Sequence, residues 1–482
     1  MPTTDYVRQQ HHEFVAASDV AMADTRLQRI LGELGDSLWL RNRQAWEALP
    51  DSDQVRERAR AIKDATLAEL DVHLATLETS VQRRGGHVHW ASTGDDACRI
   101  VLDIIGERNA RKVVKSKSMT TEEIHLNHAL AEAKIETIET DFGEYIIQLA
   151  GHRPSHIVGP ALHLSADDVA NILTESGGTP VPSDRQQMAA IARERLRFHF
   201  AQAEVGITGA NFAVAETGTI VLVSNEGNAR LTTTLPKVHI AIMGMEKVIP
   251  KLADLPFFLK VLARAATGQK LSIYTSLITG ARGEGELDGP DEFHLVILDN
   301  GRSRILAGPL RESLFCIRCG ACLNACPVYR SVGGHAYGGV YSGPIGAVLT
   351  PLYDGLAANQ HLPHASSLCG ACQAACPVKI AIPQMLIQLR GQLHDTPGGS
   401  NRWESFAYRW WYRVIKSPFW YGWATWLATR TVGRWFRKRG WVRKMPGPIG
   451  NWTQSRDFPA PAPERFRDWW RKKGHRDSGA PP

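Results

Sequence analysis

The hydrophobic pattern changes character several times along the chain. In residues 1–85, apolar side chains recur every three or four positions with charges between them, as in "RLQRILGELGDSLWLRN", which predicts a helical lead-in segment. From 86 to 300 the pattern shortens to the β-rich runs "RKVVKSK", "IETIETD", "HIVGPALHL", "FAVAETGTIVLVSN", "KVHIAIMGM", "KLSIYTSLI" and "FHLVILDNG". Several are followed by amphipathic stretches, and that alternation predicts an α/β domain on a mostly parallel sheet. The stretch "TGARGEGELDGPDE" reads as a surface loop before the last strand. Residues 301–392 form a third region, closed by the helical pattern "IPQMLIQLRGQLH". After "DTPGGSN", a linker by composition, residues 393–482 read as a mainly helical or irregular tail.

The third region carries the clearest chemistry. "CIRCGACLNACP" places Cys316, Cys319, Cys322 and Cys326 in the C-x2-C-x2-C-x3-C-P spacing of bacterial two-cluster ferredoxins. A second copy, "SSLCGACQAACP", supplies Cys369, Cys372 and Cys376 but has Ser366 at the first ligand position. Closely spaced thiolates let one loop wrap a cluster corner, and in such pairs the fourth cysteine serves the other cluster. Crossing the ligands gives Cys316, Cys319, Cys322 and Cys376 for one four-iron cluster, and only Cys326, Cys369 and Cys372 for the second. The second site is then a cubane with one iron held by water or a non-cysteine ligand, a three-iron cluster, or a site completed from elsewhere in the chain. Ser366 would have to lose its proton to ligate, and His335 in "GGHAYGG" is the first non-cysteine ligand to test, against a simpler hydrogen-bonding role in a Gly-rich turn. C-x2-C pairs also hold zinc, but the doubled Cys-Pro endings favour iron–sulfur clusters. The length between the motifs favours a helical ferredoxin-type module.

Composition refines this picture. Seven of eight cysteines sit in two short clusters, a metal-ligand usage that points to a reducing compartment and away from a disulfide framework. The remaining cysteine, Cys98, reads as a buried apolar filler. No basic n-region followed by an apolar stretch opens the sequence, so a cytoplasmic location is expected. The formal charge of +7 is concentrated in residues 401–482, where 18 Lys/Arg face 5 Asp/Glu and 11 of the 14 tryptophans lie. The longest charge-free run there, Ser417 to Thr429, has 13 residues, short of the ~20 that cross a bilayer as a helix. An aromatic, basic surface of this kind suits packing on a partner subunit or resting on an anionic membrane surface. Stacking on single-stranded nucleic acid ranks last, because nothing else in the chain reads as a nucleic-acid module.

The α/β region has weaker candidates. In "KSKSMTTEEI" a strand ends in Lys115 and Lys117, and Thr120 with Glu123 forms a capping-box pattern. Lysines and free N–H groups there would suit an anion, as they would an ordinary strand-to-helix turn. Glu216, Thr217, Gly218 and Thr219 would line a substrate cleft or form a glycine bend between strand segments. Neither a P-loop, a nucleophile elbow nor a dinucleotide fingerprint is present.

The domain order, the asymmetric motif pair, the intervening "VGGHAYGGVYSGPIGAVLTP" and the Trp-rich tail together resemble the iron–sulfur subunit of the bacterial L-lactate utilisation system, the LutB family. "KSKSMTTEEIHLN" and "AETGTIVLVSNEGNAR" are similar to that family's LUD domain, of the sugar-isomerase and CoA-transferase-like α/β folds. The resemblance implies a cytoplasmic electron carrier with two [4Fe-4S] clusters, acting beside two other subunits in oxidising L-lactate to pyruvate. It also implies three cysteines on the second cluster, matching Cys326, Cys369 and Cys372. The competing expectation is a catalytic subunit whose α/β domain binds a small carboxylic acid and whose under-ligated cluster acts as a Lewis acid. Iron–sulfur clusters do not by themselves accept a hydride and no flavin motif is visible, which favours the carrier.

Overall fold

A computed structural model describes residues 14–395, 402–430, 441–444, 450, 453, 456–459, 462 and 464–474. Two compact units divide the chain, one ending at Leu393 and one beginning at His394.

The first unit is built on a six-stranded parallel sheet. Its strands are β1 (His87–Ala91), β2 (Lys112–Lys115), β3 (Glu136–Glu139), β4 (Val205–Thr208), β7 (Val238–Gly244) and β10 (Glu292–Leu298), in the order β1-β10-β7-β4-β2-β3. Parallel strands are covered on both faces and therefore read as continuous apolar runs. Accordingly, every residue of β7 and every residue of β10 after Glu292 is buried. Register is fixed by pairs such as Val296↔Ile242 and Ile207↔Ile240.

The other strands described in the first unit form a separate mixed sheet, ordered β8-β5-β6-β9: β5 (Phe212–Val214), β6 (Thr219–Ser224), β8 (Val248–Ile249) and β9 (Tyr274–Ile278). "FAVAETGTIVLVSN" is thus an antiparallel hairpin of this second layer. "HIVGPALHL", read above as a strand, is irregular, since Pro160 and Gly159 interrupt it and its polar groups are used in contacts described below. β1 was not anticipated, because "HVHWA" carries two histidines and only Ala91 in it is fully buried.

Among the described residues, four helices precede the sheets: Phe14–Ala23, Thr25–Glu47, Ser52–Ala68 and Leu70–Arg83. Asp24 caps the second by accepting from the Arg26 and Leu27 N–H groups. Helix Ser52–Ala68 buries Val55, Ala59 and Ile62, and Asn42 donates to the Ala265 carbonyl at 2.8 Å, tying the lead-in to helix Leu255–Thr267.

Sheet order creates the main crevice. The chain leaves β2 outward to β3 but returns across β2 to β4, so the loops after β2 and β4 diverge; ligand crevices form at such topological switch points. From β10 the chain runs through helix Arg302–Ala307 into the cysteine region. Arg302 is fully buried and joins the two: it pairs with Glu123 at 2.8 Å and with Glu246 at 2.6 Å. Tyr341 from the cysteine region donates to the same Glu123 at 2.6 Å. Burial pushes the Glu246 carboxyl up, but Arg302, Arg318 and Lys247 outweigh it and hold it down at about 2.

In the second unit, helices Arg402–Lys416 and Pro418–Arg430 carry exposed aromatic residues, among them Trp410, Trp411 and Trp420. Among the described residues, no helix is long and apolar enough to cross a membrane.

Candidate metal centre

Each cysteine motif folds into the same local shape. Arg318 and Leu368, at equivalent positions, have φ of 60° and 56°, a left-handed conformation uncommon outside glycine. Gly320 and Gly370 follow at 77° and 83°, and short helices Ala321–Ala325 and Ala371–Ala375 come next. These reversals let successive thiols face one side. Each run ends at a sulfur that accepts backbone N–H groups: Tyr329 N–H lies 3.5 Å from Cys326 Sγ, and Ile380 N–H lies 3.4 Å from Cys376 Sγ.

The thiols sort into two groups. Cys316, Cys319, Cys322 and Cys376 line one small void, walled also by Arg318 and by apolar groups including Ile317, Ile345 and Ile380. Cys326, Cys369 and Cys372 are mutual electrostatic neighbours. Each motif therefore sends its last cysteine to the other's group. Among the described residues, no set of three or more His, Cys, Asp or Glu side chains closes on a single ion. Thiols held apart around an apolar void fit a cluster better than a tetrahedral zinc ion. Burial raises the Cys319, Cys322, Cys326, Cys372 and Cys376 thiols, Cys376 to about 11 and Cys372 to about 12, so assembly of a cluster would release their protons.

Exposure sets one thiol apart. Cys319, Cys322 and Cys376 of the first group and Cys326 and Cys372 of the second are buried and Cys316 is half-buried, whereas Cys369 is exposed and its thiol is lowered by the Ala371 N–H and the Ser367 hydroxyl. Ser366 Oγ accepts the Leu368 N–H at 3.1 Å, holding the turn by a local bond. His335 Nε2 meets the Arg153 carbonyl at 2.8 Å, and its ring packs edge-on against His163 at 4.6 Å. Cys98 lies away from all seven, in the core behind the sheet, its thiol 3.3 Å from the Ile124 carbonyl.

Other candidates separate as clearly. Ser118, not Thr120, caps the helix after β2 by accepting the Thr121 N–H, because its extended backbone aims its hydroxyl back along the turn; Glu123 is committed to Arg302. Lys115 is saturated by Glu139 at 2.7 Å, Glu122 at 3.2 Å and Thr121 at 3.1 Å, so it holds no anion. Lys117 faces the switch-point crevice instead. Glu216, Thr217, Gly218 and Thr219 form the β5–β6 turn, where Gly218 (φ 71°) lies against the Ser80 and Val81 backbone and Glu216 accepts the Leu252 N–H; none of them lines the crevice.

The segment Ser155–Ile157 was not singled out from sequence, yet it walls the cysteine region. Tyr329 donates to the Ser155 carbonyl at 2.8 Å, and His156 contacts Asn324 at 3.2 Å between the motif's helix and the sheet loops. Its Nδ1 accepts the Val158 N–H, so Nε2 carries the proton given to Asn324 Oδ1. Burial and the Lys117 charge hold this ring down at about 4. Ile157 lines the thiol void itself.

Family models match the chain in three consecutive pieces: a LUD domain over residues 74–298, a 4Fe-4S dicluster domain over 312–380 and the C-terminal domain of lactate utilisation protein B over 387–475. Lactate utilization protein B of Bacillus pumilus (strain SAFR-032) is 45% identical over 453 residues, covering 94% of this chain and 95% of its own. The protein of that name from Geobacillus kaustophilus (strain HTA426) is 47% identical over 431 residues, covering 89% and 90%. A solved structure of a DUF162 family protein from Deinococcus radiodurans shares 14% identity, with a TM-score of 0.28, over 48% of this chain and 98% of that one. With its LUD-type α/β domain, its dicluster motifs and relatives at this identity over 90% or more of their length, the chain belongs to the lactate utilisation protein B family.

Proposed function

We propose that this chain is the electron-carrying iron–sulfur subunit of a multi-protein lactate utilisation system, serving the oxidation of L-lactate to pyruvate. The observation that carries the reading is the sorting of seven thiols into two groups, each taking one cysteine from the other motif. Cys316, Cys319, Cys322 and Cys376 would hold one four-iron cluster, and Cys326, Cys369 and Cys372 the second, whose fourth iron is absent or bound by a non-cysteine ligand. When bound, such clusters supply one-electron acceptance and release, at potentials set by burial, charge and hydrogen bonds to sulfur.

The chain's own residues set those conditions. Ile317, Ile345 and Ile380 exclude water from the first group, and Arg318 and Lys247 place positive charge near Cys316, which favours the more negative, reduced state. Cys369 brings the second group to the surface, where a partner subunit can approach. The aromatic basic tail offers a further contact surface for those subunits, or for a membrane. The domain boundaries 1–85, 86–300, 301–392 and 393–482 fit this division of labour: a support, a ligand-sized α/β domain, the redox module and a docking region.

Reconstituted protein, alone and without oxygen, should bleach with dithionite and not with L-lactate. Lactate turnover with an artificial acceptor by this chain alone would instead make it the catalytic subunit.

A further inference from the structure

The switch-point crevice is a cavity of about 330 Å³ between the loops after β2 and β4, the end of β6 and helix Leu255–Thr267. Three cations line it: Lys117, Lys247 and Arg318. Each is left short of partners. Lys117 Nζ is buried with no hydrogen-bond partner, and its nearest carboxylate oxygen, on Glu144, is 4.0 Å away. Lys247 is 7% exposed and makes no hydrogen bond or ion pair among the described residues. Arg318 Nη1 is buried and unpartnered, while Nη2 reaches Glu246 at 3.4 Å.

A buried cation is costly unless paired and hydrogen-bonded. Three of them around one cavity ask for negative charge inside it. Two carboxylates, Asp141 and Glu226, also line the cavity, and burial together with the Asp141 charge pushes the Glu226 carboxyl up towards its neutral form. Charge on a cluster held by Cys316 would offset Arg318 and part of Lys247, but Lys117 lines the cavity and not the thiol void. Apolar side chains line it as well: Met119, Leu222, Leu262 and Ala266. The volume falls in the range of organic-ligand pockets and exceeds what a bare ion needs.

We propose that this cavity binds an organic oxyanion, a molecule presenting a carboxylate or phosphate to Lys117, Lys247 and Arg318 with its body on these apolar side chains. Ile157 and Arg318 line both the cavity and the thiol void, so the bound molecule sits one side chain from the first cysteine group. The anion site stands on the cavity alone; only its role as a neighbour of a cluster rests on the electron-carrier reading.

Full-length, iron-reconstituted protein is titrated calorimetrically with pyruvate, L-lactate, flavin mononucleotide and inorganic phosphate in separate runs. At least one organic anion should bind, and Lys117→Gln and Lys247→Met should each weaken it by about tenfold or more. Binding confined to pyruvate or lactate assigns a carboxylate ligand; binding confined to flavin mononucleotide assigns a phosphorylated one. Because Lys247→Met takes a positive charge from the neighbourhood of buried Glu246, the melting temperature of the ligand-free variant is measured alongside, so its effect on binding is read on folded material. No binding by wild type, binding of inorganic phosphate only, or equal affinity in both variants overturns the proposal. Iron missing from wild type would count against the cluster reading alone, and lost binding with iron intact bears on the cavity alone.

Discussion

The two cysteine motifs share a backbone and differ in their surroundings. At equivalent positions stand Cys316 and Ser366, Arg318 and Leu368, Gly320 and Gly370, with φ values within a few degrees of one another where the chain turns left-handed. The loop shape therefore does not require the first cysteine: in the second motif the Ser366 hydroxyl takes the Leu368 N–H and holds the turn. What differs is environment. The first motif lies against the α/β domain, with Arg318 buried near Glu246 and Tyr341, whereas the second leaves Cys369 exposed. One local fold thus serves an inner group beside the α/β domain and an outer group that reaches the surface at Cys369.

Several substitutions would break or sharpen that contrast. The largest effect is expected from Cys322→Ser, which removes a ligand of the complete set; bound iron should fall by roughly half and reduction by dithionite should lose one centre. Next comes Arg318→Leu, which makes the first motif resemble the second. Loss of a buried cation beside Glu246 should cost about 1–3 kcal/mol of stability, read as a lower melting temperature, and should shift the inner centre to a more negative potential in a redox titration. Ser366→Cys gives the second motif its missing thiol. Iron should stay the same or rise slightly, and the EPR signal of the outer centre should change while that of the inner one does not. Cys98→Ala should do least: unchanged iron and a loss of about 1–2 kcal/mol from a small cavity behind the sheet, measured by chemical denaturation.

The dicluster motifs were legible because cluster binding demands fixed spacing in a short stretch of chain, and spacing is a sequence property. The parallel sheet was legible too, since doubly covered strands such as β7 and β10 are continuous apolar runs. The second sheet was not separable, because "FAVAETGTIVLVSN" has the same apolar character whether it pairs in one layer or another. Nothing in "GMEKVIP" announces that Glu246 is a buried anchor for Arg302 or that Lys247 lines a cavity; both roles come from segments distant in sequence meeting at strand ends. Lys115 and Lys117 show the same limit. Two lysines two residues apart on one strand end have opposite fates, because Glu139 on β3 and Glu122 reach only the first. "HIVGPALHL" misled for a different reason: its apolar residues cover the cysteine region as a loop, with Ile157 in the void and His156 spent on Asn324.

The exchange of ligands between motifs is tested most directly by comparing anaerobic EPR spectra of dithionite-reduced Cys376→Ser, Cys316→Ser and Cys369→Ser proteins. Cys376→Ser should reproduce the spectrum of Cys316→Ser, with the same inner centre lost although the two residues belong to different motifs. If it matches Cys369→Ser instead, each motif serves its own cluster and the crossed arrangement is wrong.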